Sequence, residues 1–435
     1  MVNEMIEYQF KDLMLGFYDG PHATPSLSDE GPIFLGIKNI LETGGIDFKC
    51  IRHISEAEYP KWTKRVVPQK DDIVFSYEAT LHRYALIPDG FRGCLGRRMA
   101  LIRVNKEIVN EKFLYQYFLS SKWKAFIETV KISGATVERI SISKFPNYKI
   151  TLPSLSIQKK IASILYSYDE LIENNKQRIK LLEEMAEEIY KEWFVRLRFP
   201  GYENAKIVDG LPEGWEKDII SNYYVTSSGG TPSRAKEDFF KDGTINWLKT
   251  KELLDTFTFS AEEKITEIAL KESSAKIFPR DTILIGMYGG VHGEGRKSTL
   301  GQLGILGEES STNQASCAFI PKNIYYSYPY LFLFLKSKRA DFLNKSMGAA
   351  QQNISQDIIK NSPYIQPEEN IIKCFDSLIK PFFEEIKILT QKNQLLQEIR
   401  DLLLPRLMSG KLSVEHLVEE ELGMVAEERA AYNKV

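Results

Sequence analysis

Residues 157–193 read IQKKIASILYSYDELIENNKQRIKLLEEMAEEIYKEW, and 214 positions later residues 371–407 read IIKCFDSLIKPFFEEIKILTQKNQLLQEIRDLLLPRL. Both stretches place apolar side chains at alternating spacings of three and four, the pattern of a helix that keeps one stripe against a partner helix. The first stripe is Ile161, Leu165, Tyr168, Ile172, Asn175, Ile179, Leu182, Ala186, Ile189 and Trp193. The second is Phe375, Ile379, Phe382, Ile386, Leu389, Asn393, Leu396, Arg400, Leu403 and Leu407. An antiparallel pairing in which residue numbers sum to 568 sets Asn175 against Asn393, Ile179 against Leu389, Leu182 against Ile386 and Trp193 against Phe375. Two Asn side chains satisfy each other's amides only in that alignment, so they would fix the register at some cost in stability. The competing arrangement is two separate amphipathic helices, each packed on its own lobe, with both Asn residues in water. At about 1.5 Å per residue, a 40-residue helix reaches about 60 Å. A pair of that length is a ruler.

The same shift of 214 extends beyond the helices. Gly134-Ala135-Thr136 falls on Gly348-Ala349-Ala350, Ile140-Ser141 on Ile354-Ser355, and Pro153 on Pro367. With gaps, Thr24-Pro25-Ser26 matches Thr231-Pro232-Ser233, and the run Phe34–Ile40 matches Trp247–Leu253. Between these anchors Tyr77–Arg98 and Met287–Ser311 share almost nothing. A unit this long exceeds the 20–50-residue periods of solenoids and propellers. It predicts a mixed α/β (α+β) chain with an internal two-fold pseudo-repeat: two globular lobes separated by two long helices forming an antiparallel coiled coil. The boundaries are 1–155 for the first lobe, 156–197 for the first helix, 211–368 for the second lobe, 369–410 for the second helix and 411–435 for an acidic tail. Within the first lobe, Ile33-Phe34-Leu35, Ile73-Val74-Phe75 and Met99–Ile102 read as strands and Glu111–Thr129 as one helix, with turns at Thr43-Gly44-Gly45 and Pro88-Asp89-Gly90. Arg198–Gly214 reads as a linker.

With 435 residues, 43% hydrophobic and 27% charged, the chain has ample core, and a net charge of -2 confines any nucleic-acid surface to local patches. Cys50, Cys94, Cys317 and Cys374 show no metal-ligand spacing and read as buried or inert thiols. The opening residues lack a signal-peptide pattern, and no uninterrupted apolar run approaches about 18 residues, so a soluble, cytoplasmic protein with no membrane contact is expected. No catalytic constellation is present: the five His residues form no HExxH and no helical ligand pair, and there is no P-loop. Asn361-Ser362-Pro363-Tyr364 departs from the Asn-Pro-Pro-Tyr motif of adenine methyltransferases at its second residue and has no methyl-donor loop beside it.

Positive charge concentrates where the repeats diverge. The first-lobe candidates for DNA contact are Lys61, Lys64 and Arg65 around Trp62, then Arg83, Arg92, Arg97 and Arg98, with Arg103 and Lys106 following. Those of the second lobe are Arg234, Lys249, Lys251, Arg296 and Lys297, beside Lys236. Such residues neutralise phosphates and reach base edges. For any one of them a solvated surface charge is the plain alternative.

Leu211-Pro212-Glu213-Gly214-Trp215-Glu216, followed by Ser228-Gly229-Gly230-Thr231-Pro232-Ser233, resembles the opening of a target-recognition domain in the DNA-specificity subunit of type I restriction-modification systems. Ile157-Gln158-Lys159-Lys160-Ile161-Ala162 and Leu404–Leu412 resemble that family's conserved helical regions, and the resemblance covers nearly the whole chain. The first lobe departs at Asp19-Gly20-Pro21-His22-Ala23-Thr24-Pro25-Ser26, which lacks Gly-Gly before Thr-Pro. The resemblance implies a non-catalytic subunit in which each lobe reads half of a bipartite, asymmetric site on double-stranded DNA. The helices would set the spacer and dock two methyltransferase subunits. S-adenosylmethionine would sit on those partners, and ATP and magnesium on motor-nuclease subunits, with no cofactor and no metal on this chain. The seam residues carried by this reading are Ile172, Asn175, Ile179, Leu182, Ile189, Trp193, Ile379, Ile386, Leu389, Asn393, Leu396 and Leu403. A catalytic DNA methyltransferase and a coiled-coil scaffold without nucleic-acid function remain the alternatives.

Overall fold

A computed structural model of the chain describes residues 5–49, 51–133, 137–289, 299–323, 326–346, 353–415 and 417. Gly134–Thr136, Gly348–Ala350, Arg296, Lys297, Cys50 and most of the acidic tail lie outside them. The chain divides into two compact units, residues 1–172 with 395–435 and residues 173–394. Each unit therefore joins one α/β lobe to part of both long helices.

In the first unit an antiparallel sheet runs in the order Met14–Asp19, Met99–Val104, Ile73–Ser76, Tyr84–Leu86. A second sheet runs Arg52–His53, Ser28–Leu35, Gly93–Leu95, its last pair parallel. The strand Ile6–Gln9 pairs with Lys149–Leu152. The second unit repeats this order. Tyr224–Ser228, Ser316–Pro321, Ile283–Gly286 and Leu303–Leu306 form the first sheet, extended by Phe257–Thr258. Lys264–Ile265, Ile245–Leu248 and Ser310–Thr312 form the second, again with its last pair parallel and extended by Ile277–Phe278. Glu216–Ile219 pairs with Pro363–Gln366. The central strands Ile73–Ser76 and Ile283–Gly286 are buried throughout, as short, mainly apolar runs covered on both faces should be.

The helix expected over Glu111–Thr129 is two helices, Glu111–Leu119 and Ser121–Val130. Ser120 is extended (φ -68°, ψ 151°), and its hydroxyl donates to the Tyr117 carbonyl (2.6 Å) while accepting from the Trp123 amide. A serine that satisfies the next helix's free amide competes well with helix continuation. The break turns Trp123 inward, where it is 1% exposed and donates from Nε1 to the Tyr84 hydroxyl (2.8 Å). The expected linker contains a small hairpin, Ile207–Val208 with Leu211–Pro212, and Phe199 is buried against Trp215 (ring centroids 5.2 Å apart). Cys94 and Cys317 are buried, which pushes both thiols up to about 12, whereas Cys374 is exposed because it lies off the apolar stripe of its helix.

The long helices span Leu155–Tyr190, closing in a π turn at Lys191–Val195, and Glu369–Met408. Pro381 sits inside the second helix on its exposed side, so water can satisfy the Ser377 carbonyl that loses its amide partner. Every residue of both stripes is buried or half-buried. In the second unit the helices run antiparallel: Asn175 Nδ2 donates to Asn393 Oδ1 (2.9 Å), Trp193 packs tilted against Phe375 with ring centroids 5.7 Å apart, and Arg178 pairs with Glu385 (2.7 Å). In the first unit Arg400 pairs with Asp169 (2.6 Å), and Leu403, Leu404 and Leu407 pack on the core that holds Ile161 and Leu165. Burying one such aliphatic side chain contributes roughly 1.5–3 kcal/mol. Tertiary packing, rather than helix propensity, holds these helices in place.

Candidate nucleic-acid interface

The basic residues of the first lobe are largely neutralised by carboxylates, most of them on the turns and loops beside the strands. Arg65 donates to Asp19 (2.5 Å), Arg83 to the Ile40 carbonyl (3.2 Å) with Glu42 at 3.5 Å, and Arg98 lies 3.2 Å from Glu78. Arg92 grips Glu56 through both terminal nitrogens while its guanidinium sits 4.9 Å from the Tyr59 ring centroid. Arg92 hydrogen bonding holds the Glu56 carboxyl below the ordinary range. Arg103 chelates Asp72, and Lys106 pairs with Asp71 (2.7 Å). Lys61 is exposed beside Glu58 (3.8 Å). Lys64 and Arg97 are exposed and have no ion-pair partner among the described residues. Trp62 is core rather than a stacking platform, packed edge-on to Phe34 at 6.0 Å.

The second lobe gathers two of its cations on one indole. Glu263 takes Arg234 (2.5 Å) and Lys249 together. The two cations lie 5.3 and 5.8 Å from the ring centroid of Trp247, and Arg234 also lies 4.5 Å from that of Phe240. Trp247 is fixed in turn, donating from Nε1 to the Gly230 carbonyl (2.9 Å). Lys251 pairs with Glu262, and Lys236 with Glu272 (3.0 Å). Arg296 and Lys297 lie outside the described residues.

Strand register shows which residues of the two lobes occupy the same place. Phe34 and Trp247 lead into matching single turns of 3-10 helix, Ile37–Asn39 and Thr250–Glu252. In both turns a side chain closes back on the entering amide: Asn39 on Gly36 (3.1 Å) and Glu252 on Lys249 (2.8 Å). In the parallel pairs Leu35 lies opposite Leu95 and Leu248 opposite Thr312. Three residues then connect to the next strand, Gly96-Arg97-Arg98 before Met99 and Asn313-Gln314-Ala315 before Ser316. Met99 pairs with Ser76, and Ser316 with Gly286. Arg97 and Gln314 are thus equivalent. Opposite Phe34 stands Arg52, and opposite Trp247 stands Glu263, whose carbonyl accepts the Trp247 amide (3.0 Å). Gly20 donates to the Met99 carbonyl as Gly229 does to that of Ser316, so the single glycine of the first lobe does the work of the first glycine of Gly-Gly. Sequence comparison missed Arg52, Glu263 and Gln314, because the flanking segments differ too much to align.

Among the described residues, no group of three or more His, Cys, Asp or Glu is arranged to hold a metal ion, and no helix is long and apolar enough to cross a membrane. The chain matches the type I restriction modification DNA specificity domain twice, over residues 33–184 and 212–398. It is 26% identical over 379 residues to the type I restriction enzyme MjaIX specificity subunit of Methanocaldococcus jannaschii, covering 84% of this chain and 83% of that one. It is 22% identical over 420 residues to the HindI specificity subunit of Haemophilus influenzae, covering 82% and 89%. Among solved structures, the S subunit of a type I restriction-modification system from M. genitalium shares the fold, with a TM-score of 0.60 at 16% identity over 93% of this chain and 96% of that one. With both repeats matched and the same scaffold built twice, the chain belongs to the type I restriction modification DNA specificity family.

Proposed function

We propose that this chain is the sequence-specific DNA-binding subunit of a type I restriction-modification complex, each lobe reading one half of a bipartite, asymmetric site. The observation that carries the reading is one scaffold built twice with different polar and charged side chains at equivalent positions: Arg52 against Glu263, and Arg97 against Gln314. A protein that read one symmetric sequence would have no use for that divergence. Phosphate contacts orient the duplex without specifying sequence, and a few side chains at groove depth supply discrimination. The reading domains are residues 1–155 and 211–368, with helical spacers at 156–197 and 369–410.

The long helices set the unread spacer and dock two methyltransferase subunits, which carry S-adenosylmethionine; motor-nuclease subunits using ATP and magnesium complete the complex in the cytoplasm. Supporting the docking role, Leu181 and Leu395 stand at repeat-equivalent positions and remain 58% and 55% exposed. The test is methylome sequencing of a host carrying this chain with its neighbouring methyltransferase subunit. A split motif with methyladenine in both halves, lost when this chain is deleted, is the expected result. A continuous motif, or methylation that persists without the chain, would overturn the reading.

A further inference from the structure

The three-residue connection that leaves the parallel strand pair is held in the same way in both lobes. Its first amide is tied down: Gly96 donates to the Leu35 carbonyl (2.7 Å), and Asn313 to that of Leu248 (3.0 Å). The carbonyl of its third residue is tied as well, Arg98 accepting from the Tyr77 amide (3.1 Å) and Ala315 from that of Met287 (2.8 Å). A neighbouring turn presses on the backbone. A Cβ on Gly20 would stand 2.2 Å from the Gly96 carbonyl oxygen, and one on Gly229 would stand 2.0 Å from that of Thr312 and 2.5 Å from that of Asn313.

Only the middle side chain is left outside this cement. Arg97 is exposed and unpaired among the described residues, although its neighbour Arg98, held at φ +68°, is anchored to Glu78. Gln314 is exposed, and its amide oxygen accepts the hydroxyl of Thr231 from the Gly-Gly-Thr-Pro turn. That bond orients the amide and leaves one lone pair and the whole NH2 group available. A side chain that reads a base needs a rigid base beneath it and free donors above it. Arginine and glutamine are the side chains whose paired groups match one purine each: arginine donates twice to guanine O6 and N7, while glutamine donates to adenine N7 and accepts from N6.

We infer that Arg97 reads a guanine in one half-site and that Gln314, at the same place in the other lobe, reads an adenine in the other half-site. The inference rests on the bipartite reading above and adds the residues and the bases.

The experiment uses the purified complex of the full chain with its methyltransferase partner. Binding is measured on duplexes in which each base pair of the methylome-derived motif is replaced in turn, over a range of salt. Arg97→Gln should move the preference at one position of one half-site from G·C to A·T, with about 10- to 100-fold lower affinity for the original base. Arg97→Ala should lose discrimination there without gaining a new base. Gln314→Arg should make the converse change in the other half, and in each case the remaining positions and the spacer stay as in the wild type. A wild-type complex that shows no bipartite preference defeats the functional reading itself. A bipartite wild type whose Arg97→Gln and Arg97→Ala variants keep the original preference defeats only the inference. So does a loss that is uniform across sequences with a shallower salt dependence, which marks a phosphate contact.

Discussion

At one strand position the first lobe carries Arg52 and the second carries Glu263, and the two lobes use this difference to reach the same end. Arg52 lies alone over Phe34, 5.1 Å from the ring centroid. Over Trp247 the acid holds two cations, Arg234 and Lys249, so each aromatic shelf presents one net positive charge. The charge is conserved while its chemistry is not. A lone guanidinium is free to follow a phosphate, whereas two cations sharing a carboxylate are fixed in direction and must break an existing contact before making a new one. On the proposed reading, the first shelf would be an adaptable contact and the second a positioned one. That contrast would not appear in any count of Lys and Arg.

The largest effects are expected where the lobes are the same. Gly20→Ala and Gly229→Ala each drive a Cβ into backbone carbonyls that cannot move without disturbing the connection. Overpacking of this kind costs typically about 1–3 kcal/mol and occasionally more, and these sites should fall at the upper end. Denaturant unfolding should show a loss of about 3 kcal/mol for each. A tolerated alanine at only one of the two glycines would break the equivalence of the turns.

Next come the polar interruptions of the helix stripes, where the units differ. The first has the half-buried pair Arg400–Asp169, with Gln116 also donating to Asp169 (2.8 Å); the second has Asn175–Asn393. Arg400→Ala leaves a carboxylate only partly solvated and should cost about 2 kcal/mol. Asn393→Ala leaves one amide short of a partner, at about 1 kcal/mol. A double replacement of both Asn residues by Leu should be near neutral by the same reasoning. If thermal unfolding ranks the two single variants in the opposite order, the ion pair is better hydrated than its 21% and 28% side-chain exposures imply.

Glu183 has no counterpart in this comparison and gives the second lobe a pH dependence of its own. It lines a small cavity with Phe257, Phe332 and Phe383, and burial pushes its carboxyl up to about 6 against the pull of Lys336, which is itself engaged by Glu187 (2.7 Å). The folded state thus favours the protonated acid. Stability from this group is full below the unfolded value near 4.5 and is lost as pH rises through about 6. Glu183→Gln should therefore raise stability by about 1–2 kcal/mol at pH 8 and hardly at all at about pH 4, below the unfolded value. Melting temperatures of variant and parent across that range give the test.

The repeat, the order of α/β lobes and long helices, and the antiparallel setting of Asn175 against Asn393 were legible because each depends on spacing along one chain. Ion pairing was not. Arg65 and Asp19 are 46 residues apart, and Arg92 and Glu56 are 36 apart; only the folded lobe brings them together, so the sequence could name the cations and not their partners. The equivalence of Arg97 with Gln314 was hidden for a related reason: the segments before them have different lengths, and only strand register realigns them. Ser120 could have been read as a helix stop from its N-cap chemistry, but Glu111–Thr129 is apolar enough at helical spacing to mask it.

The smallest expected effect bears most directly on the two shelves. Glu263 is held below the ordinary carboxyl range by its hydrogen bond from Lys249, with Arg234 adding to it, so it stays charged at any pH at which DNA binding is measured. Glu263→Gln removes that charge and frees both cations. Non-specific DNA affinity of the assembled complex should rise about 3- to 10-fold, and the salt dependence should steepen by about one ion. The same freedom should blunt discrimination in the second half-site, since an arginine no longer held by a carboxylate can reach more than one phosphate and fixes the register of the lobe less sharply. Arg52→Gln should do the reverse, lowering non-specific affinity by a similar factor while leaving sequence preference in place. Fluorescence anisotropy over a salt series separates the two. If Glu263→Gln strengthens binding with no loss of discrimination, the carboxylate merely screens charge, and the second shelf is as adaptable as the first.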